Sequence, residues 1–462
     1  MDGFEAQVLA KLPLAEAVWL LMRQVVDDAF LTQLFDEHRG TGCEAKVTFS
    51  LLVKLVADAL LRHAGSGRQS FHEARKTGQL TATNEAVYGK LRRLRPELAE
   101  AFLLQTTQRL RQLLPPTLAS ETPAELRDYR VLVVDGKKLK RLPKRLLPLR
   151  KMRGKMLGGK VVAGLLLNEG LLVAMQATLD GEANDAPLTP GLLDQCSAHF
   201  SEKPLLYVAD RQFCDLKIPR RIDASGQAFV IRFNKKMSFF PERERVSRDA
   251  QGRTVREAWG WFGSPKDERR MYLRQITLER PGEEEIILVT NLLDPEQTPV
   301  QALLDVYLAR WTIERVFQQV TEVFQLEQWI GSSPQGAVFQ FALCGLLYNL
   351  IQVVRGYVAH LQQRPAPSLS SEMIFRSVCE QLTAGSLLLP HEPLVTYLNE
   401  LRTVDELRTR LLTLLANQWS DLWLKSPAKK KRPAPPPKQA VKGGHSSAWK
   451  LIQAAKAQPP PR

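Results

Sequence analysis

The sequence lacks the residue clusters that mark several large classes of protein. None of the cysteines has C-x-x-C spacing, which excludes paired zinc ligands and a disulfide framework. The seven histidines form neither H-x-x-x-H nor H-E-x-x-H, so no metal is assigned to them. We therefore expect reduced cysteines in a cytoplasmic protein. The cysteines are odd in number and far apart: Cys43, Cys196, Cys214, Cys344 and Cys379.

The chain also lacks a recognisable secretory signal and a clear membrane span. Residues 1–22 contain no basic segment followed by an unbroken apolar core. The most apolar stretch, 339–354, carries Gln340, Asn349 and Gln352, so we expect it to fall short of a membrane span. The prediction is a soluble protein with no membrane partner.

Two stretches lack acidic residues entirely and are strongly basic. Residues 137–160 contain eleven Lys and Arg and residues 426–462 contain nine, without an Asp or Glu in either. Since the whole chain has a net charge of +15, the rest of it is net acidic. Charge confined to particular segments is typical of surfaces that contact nucleic-acid phosphates. A merely solvated surface is the alternative, although eleven like charges repel one another unless an anion is near.

Apolar periodicity divides the rest of the chain into three parts. Three- and four-residue spacing predicts a helical N-terminal domain at 1–120, with DNA reading and dimerisation as alternative roles. Short apolar runs predict an α/β domain at 125–335, containing a β-rich insertion at about 227–293. Helical spacing returns in a C-terminal region at 336–425.

The basic tail at 426–462 is predicted to be disordered. It is rich in Pro and Lys and too poor in apolar residues to fold alone. A short, weak helix at 448–457 is the one element expected there. The basic run at 429–432 suits a flexible, non-specific tether to DNA.

Two aspartates lie at the ends of predicted strands. Asp135 ends the apolar run 129–135, and Asp210 ends the run 204–210. The rim of a sheet can hold a charged side chain while the residues before it stay buried. Phosphodiester cleavage with two divalent cations needs such carboxylates on a rigid scaffold. A turn or a helix cap is the alternative for either aspartate taken alone.

A third acidic residue belongs to a more specific pattern. Tyr307, Arg310 and Glu314 are spaced i, i+3 and i+7 in a helix predicted to begin near Pro299. At about 100° per residue, their side chains lie within an arc of roughly 60° on one helix face. Alone, such a polar face is more typical of a solvated surface. Beside two aspartates at strand ends, it supplies a candidate third carboxylate.

Together these motifs resemble the DDE-type transposases of bacterial insertion sequences, in the group with a Tyr-Arg-Glu-Lys signature. The resemblance rests on strand-Asp-Gly at 131–136, strand-Asp at 205–210 with Phe213 after it, and Y-x-x-R-x-x-x-E at 307–314. VTNLLD before the helix, RWTIERVFQ within it and LLYNL after it are also similar to this family. The resemblance covers roughly residues 125–355.

The resemblance implies an α/β RNase H-like catalytic core with a β-rich insertion, between the all-α N-terminal domain and the helical C-terminal region. It implies that Asp135, Asp210 and Glu314 are catalytic and bind Mg²⁺, with Mn²⁺ as a substitute. It also implies contacts of Tyr307 and Arg310 with DNA phosphate. The basic run after Asp135, interpreted as a DNA-facing loop, adds further candidate DNA-binding residues: Lys137, Lys138, Lys140 and Arg141.

Two positions depart from the family pattern. Thr321 stands seven residues after Glu314, where the signature has a basic residue, and an uncharged hydroxyl cannot attract a phosphate as Lys does. Gln212 stands where a small residue is commoner. The candidates for a replacement charge are Lys137, Lys138 and Arg315.

The resulting hypothesis is a cytoplasmic, nucleoid-associated bacterial transposase that cuts DNA at the ends of its own element and joins the 3′ ends to target DNA. The expected partners are the double-stranded DNA of the ends and of the target, with a second copy of the chain in the synaptic complex. Two alternatives stay open. One is a nuclease of the same fold without strand transfer, and the other is a DNA-binding protein with an inactive catalytic domain.

Overall fold

A computed structural model describes residues 3–42, 44–115, 122–249, 251–400, 403–425 and 444–457. Within this part of the chain, seven α-helices precede the first strand. Several begin at a residue whose side chain accepts a backbone N–H of the first turn, namely Asp27, Thr48, Ser66 and Thr83. The helices are α1 Gly3–Leu9, α2 Pro13–Val25, α3 Asp28–His38, α4 Phe49–Arg62, α5 Gly67–Lys76, α6 Asn84–Leu91 and α7 Pro96–Arg111.

The middle of the chain forms one large mixed sheet with two helices. The helices are α8 Thr189–His199 and α9 Lys217–Ala224. The strands are β1 Arg130–Lys140, β2 Lys155–Leu166, β3 Leu171–Thr178, β4 Leu205–Ala209, β5 Ala228–Arg232, β6 Phe239–Arg248, β7 Thr254–Phe262, β8 Met271–Leu278 and β9 Ile286–Thr290, and a late strand, β10 His445–Ser447, joins them.

The strand order is β10-β2-β1-β4-β5-β9-β8-β7-β6, and β3 also pairs with β2. β1, β2 and β3 pair antiparallel, whereas β1, β4 and β5 pair parallel. A mixed sheet of this kind, covered by helices, fits the expected RNase H-like core.

The structure differs from the sequence analysis at the start of the β-rich insertion. The predicted insertion begins at residue 227, yet β5 pairs parallel with β4 as a strand of the central sheet. Its apolar run, AFVI, is buried, as expected for a strand covered on both faces. β9 returns antiparallel to β5, so the remaining strands of the insertion extend the same sheet.

Helices also make up most of the C-terminal third of the described chain. They are α10 Val300–Ala309, α11 Trp311–Glu322, α12 Pro334–Leu361, α13 Ser371–Leu388, α14 His391–Leu398, α15 Val404–Leu415 and α16 Ala448–Ala457. α16 lies where the sequence predicts a short helix, and with β10 it forms an ordered end to the described chain. Residues 426–443 and 458–462 of the predicted disordered tail lie outside the described residues.

The long helix α12 lies in the centre of the helical layer. It is long and apolar enough to cross a membrane, with a mean hydropathy of 1.8 over its most apolar window, but this window is buried inside the protein. The helix is longer than the apolar stretch 339–354 of the sequence. Its polar side chains bond inside the protein: Asn349 donates to the Thr107 hydroxyl and the Leu172 carbonyl, and Gln352 donates to Ser371 while its Oε1 is buried without a partner. α12 is therefore a core helix.

The two faces of the sheet are covered by different helices. Along β1, Val131 and Val133 belong to the apolar core that contains α7, α11 and α12, whereas Leu132 and Val134 pack with α8 and α9. Side chains of a strand alternate between faces, so each odd-numbered residue of this stretch points to the first layer. The alternation sets the direction of the aspartate that follows.

Candidate active site

Asp135 and Asp210 lie side by side at one edge of the central sheet. β1 and β4 are parallel, and Val134 is paired with Ala209, so the next residue of each chain is an aspartate. By the alternation of side chains, both aspartates point to the face covered by α11 and α12. The structure thus brings these two predicted site residues together.

β1 does not end at Asp135 as predicted. It continues through Gly136 to Lys140, paired with β2, because the long β2 offers hydrogen-bonding partners beyond the point where β4 ends. The first basic residues after Asp135 therefore lie on a β-hairpin and not in a loop. We call residues 136–158 the basic hairpin.

The environment of Asp135 is poorly solvated. Burial raises the pKa of its carboxyl group to about 6; Arg310 acts to lower this value, and Glu314 and Asp185 act to raise it. One carboxylate oxygen accepts the backbone N–H of Gly136 at 2.8 Å. A carboxylate in this setting gains from any additional cation placed beside it.

The helix that carries the third acid is divided in two. The sequence analysis predicts one helix face for Tyr307, Arg310 and Glu314, but α10 ends at Ala309 and α11 begins at Trp311, with Arg310 at the junction. Glu314 lies in the first turn of α11 and is only partly buried. The positive end of a helix stabilises a carboxylate at such a position.

Tyr307 and Arg310 are buried, unlike residues of a solvated helix face. Their exposed fractions are 3% and 4%. Burial raises the pKa of the Tyr307 hydroxyl, and the nearby Asp210 carboxylate raises it further, whereas Arg310 acts to lower it. In this conformation neither side chain is open to a DNA phosphate, so their assignment as DNA contacts stays a prediction.

Arg310 is the residue that all three candidate carboxylates share. Its guanidinium is 3.1 Å from the Glu314 carboxylate. Burial opposes its charge, yet Tyr307, Asp210, Asp135 and Glu314 together raise the pKa of Arg310. Arg310 is therefore close enough to each of the three predicted metal-binding carboxylates to interact with its charge.

The donor set suits a hard divalent cation, although the carboxylates are not closed around one. Among the described residues, no group of three His, Cys, Asp or Glu side chains is close enough to hold a metal ion. One carboxylate oxygen of Asp210 is nevertheless buried without a hydrogen-bond partner. Carboxylate oxygens are the ligands that Mg²⁺ and Mn²⁺ prefer, so the residues present fit such an ion in chemistry.

The sequence analysis missed Asp185. Its buried carboxylate forms an ion pair with Lys160 at 2.7 Å, and a Cβ placed on Gly136 would lie 2.2 Å from its Oδ1. An aspartate shortly before a helix is typical of a cap, and its carbonyl oxygen does accept the N–H groups of Leu188 and Thr189. No spacing in the sequence indicated that its side chain packs against the residue after Asp135.

The basic hairpin places most of its predicted DNA-binding residues in solvent. Lys138 and Lys140 are exposed, and Arg141 is exposed but forms an ion pair with Glu327 at 2.7 Å. Lys137 is half-buried, 5.8 Å from the centre of the Phe317 ring, and burial lowers its pKa. The hairpin projects beyond the edge that carries Asp135.

Thr321 contributes no charge to this region. Its hydroxyl donates to the carbonyl of Phe317 within α11, as threonines in helices commonly do. Two candidates to replace the missing basic residue lie nearby. Lys137 lies over the Phe317 ring, and Arg315 donates to the Thr312 hydroxyl.

Comparisons with known proteins concern the part of the chain that contains the site. A family model described as "Transposase DDE domain" matches residues 126–350, a range that contains Asp135, Asp210 and Glu314. The curated protein "Putative transposase y4zB" of Sinorhizobium fredii (strain NBRC 101917 / NGR234) is 22% identical over 216 residues, which is 46% of this chain and 57% of that protein. The chain therefore spans little more than half the length of that relative.

Among solved structures, the chain is similar to the piggyBac transposase in a cryo-EM synaptic complex with hairpin DNA. The TM-score is 0.41 and the identity 10%, and the match covers 88% of each chain. No conclusion about this chain rests on so distant a likeness. The match of residues 126–350 to the transposase DDE domain model, together with the curated relative, confirms the resemblance to DDE-type insertion-sequence transposases.

Proposed function

We propose that this chain is a DNA transposase that cuts strands at the ends of its own element and transfers the 3′ ends to target DNA. The observation that carries the proposal is that Asp135 and Asp210 directly follow a pair of neighbouring residues on parallel strands, close enough to Arg310 to raise its pKa together with its ion-pair partner Glu314. These three carboxylates lie in the region that matches the transposase DDE domain model, and they supply the oxygen ligands that metal-dependent phosphodiester chemistry uses.

In this proposal Asp135, Asp210 and Glu314 hold divalent cations, with Mg²⁺ the natural ion and Mn²⁺ a substitute. Two such cations supply the positive charge that activates a nucleophile and stabilises a leaving oxygen at a scissile phosphate. Arg310 balances the negative charge of the carboxylates and so reduces the cost of keeping them at one place. The buried, unpartnered oxygen of Asp210 is the ligand atom that the fold already presents.

The basic hairpin is the proposed contact for the DNA next to the cut. Lys138 and Lys140 are exposed beyond the catalytic edge, where cations bind phosphate and release counterions. Joining two ends to one target calls for two copies of the chain in the active complex. We place this activity in the bacterial cytoplasm, with the DNA of the nucleoid.

The decisive experiment uses DNA that borders the gene of this protein. Purified protein is expected to nick it when Mg²⁺ is present and not when EDTA is present. Glu314→Gln keeps the shape of the side chain but removes the charge, so the rate is expected to fall by about 100-fold or more. Binding of the same DNA, measured by fluorescence anisotropy in EDTA, is expected to change less than about threefold.

Glu322→Gln is the matched control, because it makes the same change on an exposed residue of α11. Its cleavage rate is expected to stay within about twofold of wild type, as is usual for an exposed position. Metal-dependent nicking that survives in the Glu314 variant would contradict the role of this residue. Incubation with supercoiled target DNA separates a transposase, which yields joined product, from a nuclease, which does not.

A second candidate function is an inactive DNA-binding protein of the same fold. Thr321 favours it, since its hydroxyl is bonded within its own helix and offers no charge to phosphate. Binding without any metal-dependent cleavage, together with gain of cleavage in Thr321→Lys, would support this second function over the first.

A further inference from the structure

An open cavity of about 470 Å³ lies beyond the ends of β4 and β5, next to the catalytic edge. Basic residues dominate its charged lining, although two glutamates are present. The lining consists of Arg211, Gln212, Arg232, Phe233, Asn234, Lys235, Lys236, Glu284, Glu285 and Ile287. Neither the sequence analysis nor the catalytic triad gives this cavity a role.

The cavity lies next to the catalytic centre. Arg211 directly follows Asp210 in the chain. Arg232, at the end of β5, is near enough to act on the pKa of Tyr307, which is hydrogen-bonded to Arg310. A ligand in the cavity would therefore lie beside the carboxylates and not at a remote surface.

Most of the positive charge in the cavity lacks a carboxylate partner. Arg232 pairs with Glu284 at 2.9 Å. In the described part of the chain, Arg211, Lys235 and Lys236 form no ion pair. Several arginines elsewhere in the insertion are paired, as Arg253 is with Asp249. Like charges that face one open space repel one another unless an anion lies between them.

The cavity and the basic hairpin lie on opposite sides of the carboxylates. The sheet order β2-β1-β4-β5 puts the hairpin at β1 and β2, the aspartates at β1 and β4, and the cavity at β5. From β2 to β5 the sheet extends over three strand spacings of about 4.8 Å each. This distance equals the length of roughly four base pairs of duplex, at a rise of about 3.4 Å each. A duplex crossing this edge would therefore meet cations on both sides of the scissile bond.

We propose that the cavity lined by Arg211, Arg232, Lys235 and Lys236 binds the phosphates of the DNA on the other side of the cut from the segment held by the basic hairpin. This inference rests on the proposed function, because it takes Asp135 and Asp210 to mark the cut. It assigns two DNA segments to two surfaces: one remains bound after cleavage, and the other is lost with the severed flank.

The first test measures DNA binding without cleavage. The probe is a duplex of about 40 base pairs of unrelated sequence, titrated in EDTA at several salt concentrations by fluorescence anisotropy. The double variant Lys235→Glu, Lys236→Glu is expected to bind the duplex about tenfold more weakly. The plot of log association constant against log salt concentration is expected to become less steep by roughly 2, one for each lost phosphate contact. An unchanged slope overturns the proposal, whether or not the protein cleaves DNA.

The matched control reverses two exposed charges at the opposite edge of the same sheet. Lys203 and Arg127 lie near the amino end of β4 and are exposed, and the Lys203 amine donates to the backbone carbonyl of Arg127. Lys203→Glu with Arg127→Glu is expected to leave the slope within about 0.5 of wild type, since this edge is not proposed to bind DNA. An equal loss in this control would mean that net charge alone is responsible, and would overturn the site.

The second test asks which side of the cut the cavity holds. Two duplexes are made after wild-type protein has defined the cut: one runs through it with flanking DNA, and the other ends at it. The cavity variant is expected to lose about tenfold in affinity for the first and less than threefold for the second. A hairpin variant, Lys138→Glu with Lys140→Glu, is expected to lose affinity for both. Equal losses on the two duplexes in the cavity variant would contradict the assignment of sides.

Discussion

At the scale of single residues, the region around Asp135 depends on a glycine and a hidden ion pair. Asp185 and Lys160 are both buried and 2.7 Å apart. The carboxylate of Asp185 fills the space in which Gly136 would carry a side chain. The backbone beside the first catalytic candidate is therefore held by a contact that only glycine permits.

Gly136→Ala is expected to destabilise the protein by about 1–3 kcal/mol, because an added methyl group would overlap a buried carboxylate that has no room to move. Thermal unfolding of the variant measures this, and cleavage should fall with it. Gly164→Ala on β2 is the control and is expected to cost less stability, because its nearest neighbour would be the flexible end of the Leu132 side chain, at 3.2 Å. Equal stability of the two variants would argue against tight packing at Gly136.

The burial of Tyr307 and Arg310 could not be predicted from their spacing in the sequence. Tyr307, Arg310 and Glu314 are recognisable from their spacing, and the same spacing fits an exposed helix face. The structure buries Tyr307 and Arg310 because α10 and α11 pack their junction against the sheet edge that carries Asp210. Spacing along one helix contains no information about the strand against which it packs.

At the scale of elements, β10 and α16 close the edge of β2. β10 pairs in parallel with Lys155–Leu157, next to the loop that joins the two strands of the basic hairpin. Lys450 of α16 forms ion pairs with Asp180 and Glu182, and Ala448 is fully buried. An unpaired edge strand would otherwise expose its backbone groups.

A chain ending at Gly443 is expected to lose hydrogen-exchange protection at Lys155–Leu157 and about 2 kcal/mol of stability, because the β10 pairing and the apolar face of α16 are removed. Native-state hydrogen exchange read by mass spectrometry measures the first effect. The matched control is a chain ending at Ala457, which retains both elements. Unchanged protection in the shorter chain would show that the β2 edge does not need this segment.

At the scale of the whole molecule, the N-terminal helices and the later helices form one core. Asn349 of α12 bonds to Thr107 of α7 and to Leu172 of β3. Glu16 of α2 is buried and pairs with Arg410 of α15 at 2.6 Å. These contacts join segments that are hundreds of residues apart, so the N-terminal helices are packed together with the sheet and the later helices.

Protein cut between its N-terminal helices and its sheet is therefore expected to stay together. A specific protease site in place of residues 116–121 allows a single cut after folding. Fragments 1–115 and 122–462 should co-elute on gel filtration, because separation would expose the shared apolar core. Uncut protein of the same sequence is the control. An N-terminal fragment that elutes alone and keeps its helical circular dichroism would contradict the single core.

The sequence by itself determined those features of the protein that depend on residues close together in the chain. Apolar runs and periodicity located most strands and helices, and local motifs marked Asp135, Asp210 and Glu314 as candidates, because strand burial and helix spacing are short-range properties. Only the tertiary structure decided what depends on distant segments. β1 extends past Asp135 because β2 pairs with it. Likewise, Asp185 lies against Gly136, and the basic cavity forms where β5 and the segment before β9 meet. These contacts arise from strand pairing and packing between segments far apart in the chain, which no local pattern encodes.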